Sequence, residues 1–316
     1  MRRQKIGVLM AGLLDDERAA HAAHAGGQDV LEALWARGHD AHPILVDRDL
    51  DPTLRRERIE VAFIALYGRS GEDGCVQGLL ETAGIPYTGS GVLASALAMN
   101  RVRARQIFRL HNLPTPSSYT LPAGLDADRI LESHGDFGFP AVVAPVSQTS
   151  PTAAVTCGGP AELIAACERA AATDGDLLVE RLIAGQRVSV AMLGDRVLGA
   201  AIEPAGGGPL LIEPAGRDRL GAERTRGVLR QAAAAHRALG CAGATQVDLV
   251  VSPTANEVVL ELNPAPRLGR DGLVARVAAA AGLAFEDLID AIAIAADLHA
   301  PGRPRSSAIA EQPLAA

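Results

Sequence analysis

Lysine is almost absent from this chain: Lys5 is the only one, and every other basic residue is an arginine. Schiff-base formation and the rest of lysine chemistry are therefore excluded nearly everywhere before any motif is read. Aromatic residues are as scarce, with one Trp, three Tyr and five Phe, and beyond Phe139 only Phe285 remains. The second half must build its pockets from aliphatic side chains. The four cysteines, Cys75, Cys157, Cys167 and Cys241, lie far apart and never in CxxC spacing. That argues against a zinc site or a disulfide framework and for free thiols in a reducing cytoplasm. Positive charge is also short: 30 basic against 37 acidic residues leave a formal charge of −7, so no basic field points to nucleic acid or to an anionic membrane surface. Nor is there an apolar run of the ~18 residues that a spanning helix needs. The start, Met1-Arg2-Arg3-Gln4-Lys5 followed by Ile6–Leu14, has the outline of a secretion signal. However, Asp15-Asp16-Glu17 follow at once and no small-x-small cleavage pattern is placed correctly. A buried first strand and its loop is the expectation, in a cytoplasmic protein.

What remains is a chain of 316 residues, 48% hydrophobic, enough for about two or three domains with real cores. Ile6-Gly7-Val8-Leu9-Met10 is a short continuous apolar run ending in Ala11-Gly12, the pattern of a parallel strand covered on both faces. Val30, Leu31, Leu34 and Trp35 form one helical stripe, stopped by Gly38. Ala41–Val46 and Val61–Leu66 read as further strands. Strands alternating with helices predict a doubly wound α/β domain whose ligands bind at the C-terminal ends of the strands, which puts 11–18 and 67–74 on one crevice. Pro86–Gly91 is loop chemistry, a single long helix is predicted from there to about Leu110, and Pro114 and Pro116 break the chain. Short strands follow near Ala141–Ala144, Ala153–Thr156 and Leu177–Glu180, with a helix from Ala161 to about Ala172. Strands at Val188–Leu193 and Arg196–Ile202, a helix near Gly221–Leu239 and two strands flanking 252–256 come next. Helices near Gly272–Ala281 and Phe285–Asp297 close the fold, and Pro301–Ala316 reads as a loose tail.

The strongest local pattern is Asp248 followed by Glu261-x-Asn263 on two apolar strands. Alternation puts Glu261 and Asn263 on one face, and a hairpin brings Asp248 beside them. Two carboxylates and an amide oxygen make a hard-oxygen cluster suited to Mg2+ carrying a nucleotide's phosphates. The same residues would also serve as solvated polar faces on an edge hairpin. His39 and His42 flank a turn and read as solvated, and Cys75, with no basic neighbour in sequence, reads as a buried structural thiol.

Tyr67-Gly68-Arg69-Ser70-Gly71-Glu72-Asp73-Gly74, then Gly78-Leu79-Leu80-Glu81 and Pro86-Tyr87-Thr88-Gly89-Ser90-Gly91-Val92-x-Ala94-Ser95-Ala96-Leu97-Ala98-Met99, resemble a continuous stretch of the D-alanine–D-alanine ligases. Val190–Gly194 and the Asp248, Glu261 and Asn263 set follow in that family's order. The likeness runs from residue 5 to 297 and is most specific over 61–105. It implies an ATP-grasp fold of the α/β and α+β class: a doubly wound parallel-sheet domain at 1–98, two α+β subdomains at 99–183 and 184–299 that hold ATP between them, and a tail at 300–316. It implies phosphorylation of one D-alanine carboxylate by ATP and attack of a second D-alanine's amine on the acyl phosphate, a step of peptidoglycan synthesis. A small D-amino acid would be the substrate, and a homodimer the expected assembly. On the matching positions, Asp248, Glu261 and Asn263 would bind Mg2+. Arg101, Glu180, Arg181 and Ile183 would meet ATP, with Glu180 near adenine and ribose. Glu17 would hold the first substrate's ammonium, Ser150 would lie on the substrate side, and Gln246 stands where the family stabilises the tetrahedral centre.

Several positions depart from the family. Where it has a phosphate-binding lysine before a proline, this chain has Ala144-Pro145; its other phosphate lysine is Arg101, and its hinge lysine is Arg181. The phosphate-covering loop reads Val146-Ser147-Gln148-Thr149-Ser150-Pro151-Thr152, without glycine and with a proline that donates no hydrogen bond. A ribose-binding glutamate is Arg187, a histidine is Tyr67, and the arginine that clamps the transferring phosphoryl is Gln246. The Ser-Pro-Gly after the last metal ligand is Ala265-Pro266-Arg267, the serine for the second carboxylate is Gly272, and 203–221 has no aromatic residue for a lid. Losing one preorganised charge stabiliser costs about 10²–10³ in rate. Two readings stand open: an ATP-dependent carboxylate–amine ligase, with an altered substrate or weak turnover, and a catalytically silent homologue that binds a small ligand or a partner. Arg187 and Arg267 are either relocated cations for phosphate or an acidic substrate, or ordinary surface arginines.

Overall fold

The computed structural model describes residues 4–11, 17–68, 71–147, 154–171, 175–204, 210–214, 220–253 and 256–299, with the backbone alone at 11, 17–24 and 171. Three parallel strands, β1 (Lys5–Ala11), β2 (Asp40–Val46) and β3 (Val61–Ile64), form the first sheet in the order β2-β1-β3. Alternate residues of the apolar runs serve two different cores. Ile6, Val8, Met10, Val61 and Phe63 pack on Val30, Leu31 and Leu34 of α1 (Glu17–Ala36) and on Phe285, Leu288 and Ile289 of α10 (Phe285–Ile294). Leu9, Ala62 and Ile64 pack on Leu50 and Leu54 of α2 (Leu50–Arg56) and on Val76 and Leu80 of α3 (Cys75–Ala83). Both faces of β1 and β3 are dry, which is why these two strands carry no polar alternation, whereas β2 at the sheet edge leaves Asp40, Pro43 and Leu45 exposed. The ends of β1 and β3 open towards the loop that begins at Ala65, tied back by its N–H to the Leu9 carbonyl at 3.0 Å.

The single helix expected up to Leu110 is two, α4 (Val92–Met99) and α5 (Arg101–Leu110). Asn100 breaks it: its backbone is extended (φ −99°, ψ 100°) and its side chain accepts the Arg103 N–H at 3.0 Å. An asparagine amide competes with the helical carbonyls and does best as a cap. The break lets α5 set out in a new direction, with Arg101 and Arg105 one turn apart on a buried face.

A four-stranded antiparallel sheet follows, β4 (Ser118–Leu121), β5 (Ala141–Pro145), β6 (Val155–Cys157) and β7 (Leu177–Arg181), ordered β4-β7-β5-β6. Its core is closed by α6 (Ala127–His134) and α7 (Pro160–Ala171). The third sheet, also antiparallel, runs β10 (Leu211–Pro214), β9 (Arg196–Ile202), β8 (Gln186–Leu193), β11 (Ala244–Val251), β12 (Glu257–Asn263). One face, with Val188, Val190, Val247 and Leu249, packs on α4, α5 and α8 (Ala222–Leu239). The other, with Ala191, Leu193 and Ala244, packs on α9 (Leu273–Ala280) and joins the core of the first sheet. Cys75 is exposed at the start of α3, not buried; the other three cysteines are buried, and all four are free. His39 is not solvated either: its Nε2 lies 2.6 Å from Asp290 Oδ1.

Candidate active site

Strand register assembles the polar cluster. Across β8, β11 and β12, Ser189, Asp248 and Glu261 stand side by side, and Gln246 faces Asn263 two residues along. Ser189 donates its hydroxyl to Asp248 Oδ1, and Gln246 Nε2 donates to both carboxylate oxygens at 3.0 and 3.2 Å. Burial, reinforced by the charge of Glu261, pushes the Asp248 carboxyl above the ordinary carboxylate range against those donors. Glu261 accepts from Arg101 Nη2 at 3.1 Å, and Asn263 Oδ1 accepts the Ala265 N–H at 2.8 Å. Two carboxylates and an amide oxygen thus share one face, and one carboxylate resists ionisation for want of a counter-charge. That donor set fits a hard divalent cation such as Mg2+, whose charge would relieve the strain between the two carboxylates.

Beside this face, between the four- and five-stranded sheets, lies a cavity of about 350 Å3. Val142, Ala144, Leu182, Ile183, Val250 and Leu260 give it apolar walls; Arg101, Arg105, Glu180, Arg181, Arg187 and Glu261 give it charge. Apolar walls with a few convergent polar groups suit a heteroaromatic base carrying phosphates. A register shift between Asp248 and Leu249 leaves Leu260 without a β11 partner, and its carbonyl accepts from Arg105 Nη2 at 3.0 Å. Arg105 Nη1 also pairs with Glu180. Burial lowers Arg105 to about 9, the neighbouring Arg101 adding to the effect, so it is still a cation at neutral pH. Arg101 is buried as well, and its Nε has no partner among the described residues. Arg181 turns to the rim, donating to the Phe137 carbonyl and covering that ring at 5.4 Å. Arg187 is exposed, with its Nε 3.6 Å from Glu203. The link from β7 to β8 passes Gly185, where φ is +155° and a Cβ would lie 2.3 Å from the Val251 carbonyl, so only glycine fits.

A crevice borders the cluster where the loop after β3 meets the loop after β12. The Tyr67 hydroxyl accepts the Leu268 N–H at 3.0 Å, and the Arg267 guanidinium lies over the Tyr67 ring at 5.7 Å. Glu72 is buried there, and burial pushes it up to about 7.

Residues 32–90 match the family description "D-ala D-ala ligase N-terminus", and residues 123–204 and 217–294 match "D-ala D-ala ligase C-terminus". The chain belongs to the D-alanine–D-alanine ligase family. It is 41% identical to the D-alanine–D-alanine ligase of Geobacter sulfurreducens over 321 residues, covering 97% of this chain and 98% of that one. With the Geotalea uraniireducens ligase it is 42% identical over 307 residues, covering 94% and 97%. It superposes on the solved D-alanine–D-alanine ligase from Bacillus anthracis complexed with ATP at a TM-score of 0.80, with 27% identity over 92% of this chain and 96% of that one. The Coxiella burnetii ligase, 20% identical, shares the fold at a TM-score of 0.79 over 93% and 94% of the two chains. The fold is therefore the family's ATP-grasp, with the parallel sheet preceding the two antiparallel ones.

Of the residues singled out from the sequence, Asp248, Glu261, Asn263 and Gln246 come together on the β11–β12 hairpin. Arg101, Glu180, Arg181 and Ile183 line the adjoining cavity. Glu17 opens α1, but its side chain lies outside the described residues; Ser150, most of the phosphate-covering loop and the tail also lie outside them, as does much of 203–221. Arg105, Ser189 and Glu72 had no role assigned from sequence. Arg105 was within reach, since a residue four beyond Arg101 on a helix shares its face. Ser189 depends on the β8–β11 register, which nothing local specifies.

Proposed function

We propose that this chain is an ATP-dependent carboxylate–amine ligase acting on D-amino acids, with the nucleotide between the two antiparallel sheets and Mg2+ on Asp248, Glu261 and Asn263. The observation that carries the reading is the oxygen cluster of the hairpin set at the edge of an apolar cavity, with Arg101 bridging the two. Mg2+, when bound, would neutralise phosphate charge and orient the transferring group. Arg101 holds Glu261 with one guanidinium nitrogen and keeps its buried Nε for an anionic oxygen. Arg105 fixes Glu180 at the end of β7, so that Glu180, Arg181 and Ile183 meet the base and ribose from the rim. Gln246 spends its amide on Asp248 and so orients a metal ligand. Glu17 and Ser150 are assigned to the substrate side by family position. The division at 1–98, 99–183 and 184–299, a cytoplasmic location, a homodimer and a role in peptidoglycan synthesis belong to the same proposal.

A specific observation favours the second reading, a silent homologue. Ala144 presents a methyl group to the cavity, and the two buried cations on that wall, Arg101 and Arg105, already face Glu261 and Glu180. One assay separates the readings: phosphate release with Mg-ATP and D-alanine, beside an Asp248→Ala control, with nucleotide binding measured by calorimetry. D-alanine-dependent release abolished in the control establishes the ligase. Nucleotide binding without release establishes the silent homologue, and no binding sinks the ligase reading.

A further inference from the structure

Arg101, Arg105 and Arg109 stand one turn apart on a single stripe of α5. Like charges at that spacing oppose helix formation, and the charges of Arg101 and Arg109 both bear on Arg105. The partners of the stripe explain it. α5 precedes the second sheet in sequence but packs on the third, where Ala104 and Phe108 share a core with Val188, Val190 and Val247. From that base the stripe meets the second sheet. At its N-terminal end the Arg101 N–H donates to the Val146 carbonyl, just past β5, at 3.0 Å. At its C-terminal end Arg109 Nη2 donates to the Pro116 carbonyl and to Ser118 Oγ, at the start of β4, both at 3.1 Å. Between them Arg105, only 3% exposed, reaches both sheets with one guanidinium: Nη2 donates to the Leu260 carbonyl on β12 at 3.0 Å, and Nη1 pairs with Glu180 on β7.

The two acceptors of Arg105 belong to two different walls of the cavity. Glu180 leads into Arg181, Leu182 and Ile183, the wall assigned to the base, and Leu260 leads into Glu261, the wall assigned to the metal. The Leu260 carbonyl is available because the register shift leaves that residue without a β11 partner. A planar guanidinium with donors on two edges holds two acceptors at a set separation, which a compact ammonium cannot do. We propose that Arg105 is a positioning residue that pins the base wall to the metal wall, with Arg109 as a second stitch in the same seam, and so sets the span that one nucleotide must bridge. That a nucleotide occupies the span rests on the ligase reading above; the seam between the sheets does not.

The test uses the full chain with the exposed Cys75 replaced by serine and nitroxide labels at two exposed helix positions, Ala165→Cys on α7 and Arg230→Cys on α8. Double electron–electron resonance then reads the separation of the second and third sheets without any ligand. One narrow distance distribution is expected with Arg105 in place, a shifted or broadened one in Arg105→Met, and smaller changes of the same kind in Arg105→Lys and Arg109→Ala. Binding is measured in parallel with adenosine, Mg-tripolyphosphate and Mg-ATP. Arg105→Lys keeps the charge, so adenosine and tripolyphosphate should each stay within about twofold of native, while Mg-ATP, which needs both walls at once, loses about tenfold or more. Arg109→Ala, whose lost contacts are with 115–118, should show that pattern more weakly. Thermal melts by circular dichroism report folding, and if Arg105→Met does not fold, the other two variants carry the test. Distributions that match the native one in every folded variant overturn the pin, and so does an equal loss for all three ligands, which is the mark of general destabilisation. Failure of the native protein to bind Mg-ATP removes the ligase reading, and the distance distributions still decide the seam.

Discussion

Only 9% of Glu72 reaches solvent, and no cation pairs with it directly among the described residues. An acid in that setting resists ionisation, and its carboxyl is raised from 4.5 to about 7. The folded state therefore binds the proton more tightly than the unfolded chain. The stability contributed by this group is fully present below pH 4.5 and is lost as pH climbs to about 7. Glu72→Gln, of the same shape and without the charge, should be more stable than the native chain above pH 7 by up to about 3 kcal/mol and indistinguishable from it near pH 4. Urea unfolding across that range checks it, and a gap that is flat with pH would refute the burial argument. Arg101 is the complementary case, a buried cation with one carboxylate partner. Arg101→Met should strip nucleotide affinity by at least about tenfold, while Arg101→Lys, a compact charge without the fork, should recover only part; calorimetry with Mg-ATP reads both. That Asp248, Glu261 and Asn263 share one face was legible because residue type and a period of two suffice to put three oxygens there. The pairing of Arg101 with Glu261 was not, since it spans 160 positions and only the packing of α5 on β12 brings the two together.

Elements were legible where burial is unambiguous. The runs that became β1, β3, β8 and β11 are apolar on one or both faces, and their helices carry stripes that match. The short α2 and α6, and the edge strands β4 and β10, escaped because they bury only a few residues each and their polar faces mimic loops. The α4–α5 break escaped because a cap inside a continuous helical pattern announces itself only by a single Asn. Asn100→Ala should cost about 1 kcal/mol, the usual value of a lost N-cap, and Asn100→Asp should restore most of it. Because Arg101 is the first residue of α5, the alanine variant should also weaken nucleotide binding more than a distant mutation of equal destabilisation does, which calorimetry at matched stability would show. Gly185 governs the other side of the cavity. Gly185→Ala would drive a Cβ into the Val251 carbonyl at 2.3 Å, so either β7–β8 shifts or β11 gives way, at a cost of roughly 2–4 kcal/mol. A thermal midpoint unchanged in that variant would contradict the close approach.

At the scale of the molecule, the first and third sheets share one continuous core through α9, and the cations lining the described cavity are all arginines. Lys5 stands at the N-terminal end of β1, its Nζ 3.9 Å from Glu57 in a partly exposed pair, whereas the crevice opens at the C-terminal ends of β1 and β3. An exposed pair of that kind is worth about 0–1 kcal/mol, so neutralising it should leave the fold and the cleft intact. Acetylation of Lys5 is therefore expected to change Mg-ATP affinity by no more than about twofold, because no lysine borders the cavity among the described residues. Phenylglyoxal, which attacks guanidinium groups, should abolish binding, and Mg-ATP present during the reaction should protect Arg101 and Arg105 from modification as read by peptide mass mapping. A nucleotide site in which amine acetylation destroyed binding would place Lys5 at the phosphates. That result would contradict the strand direction and the lining of the cavity together.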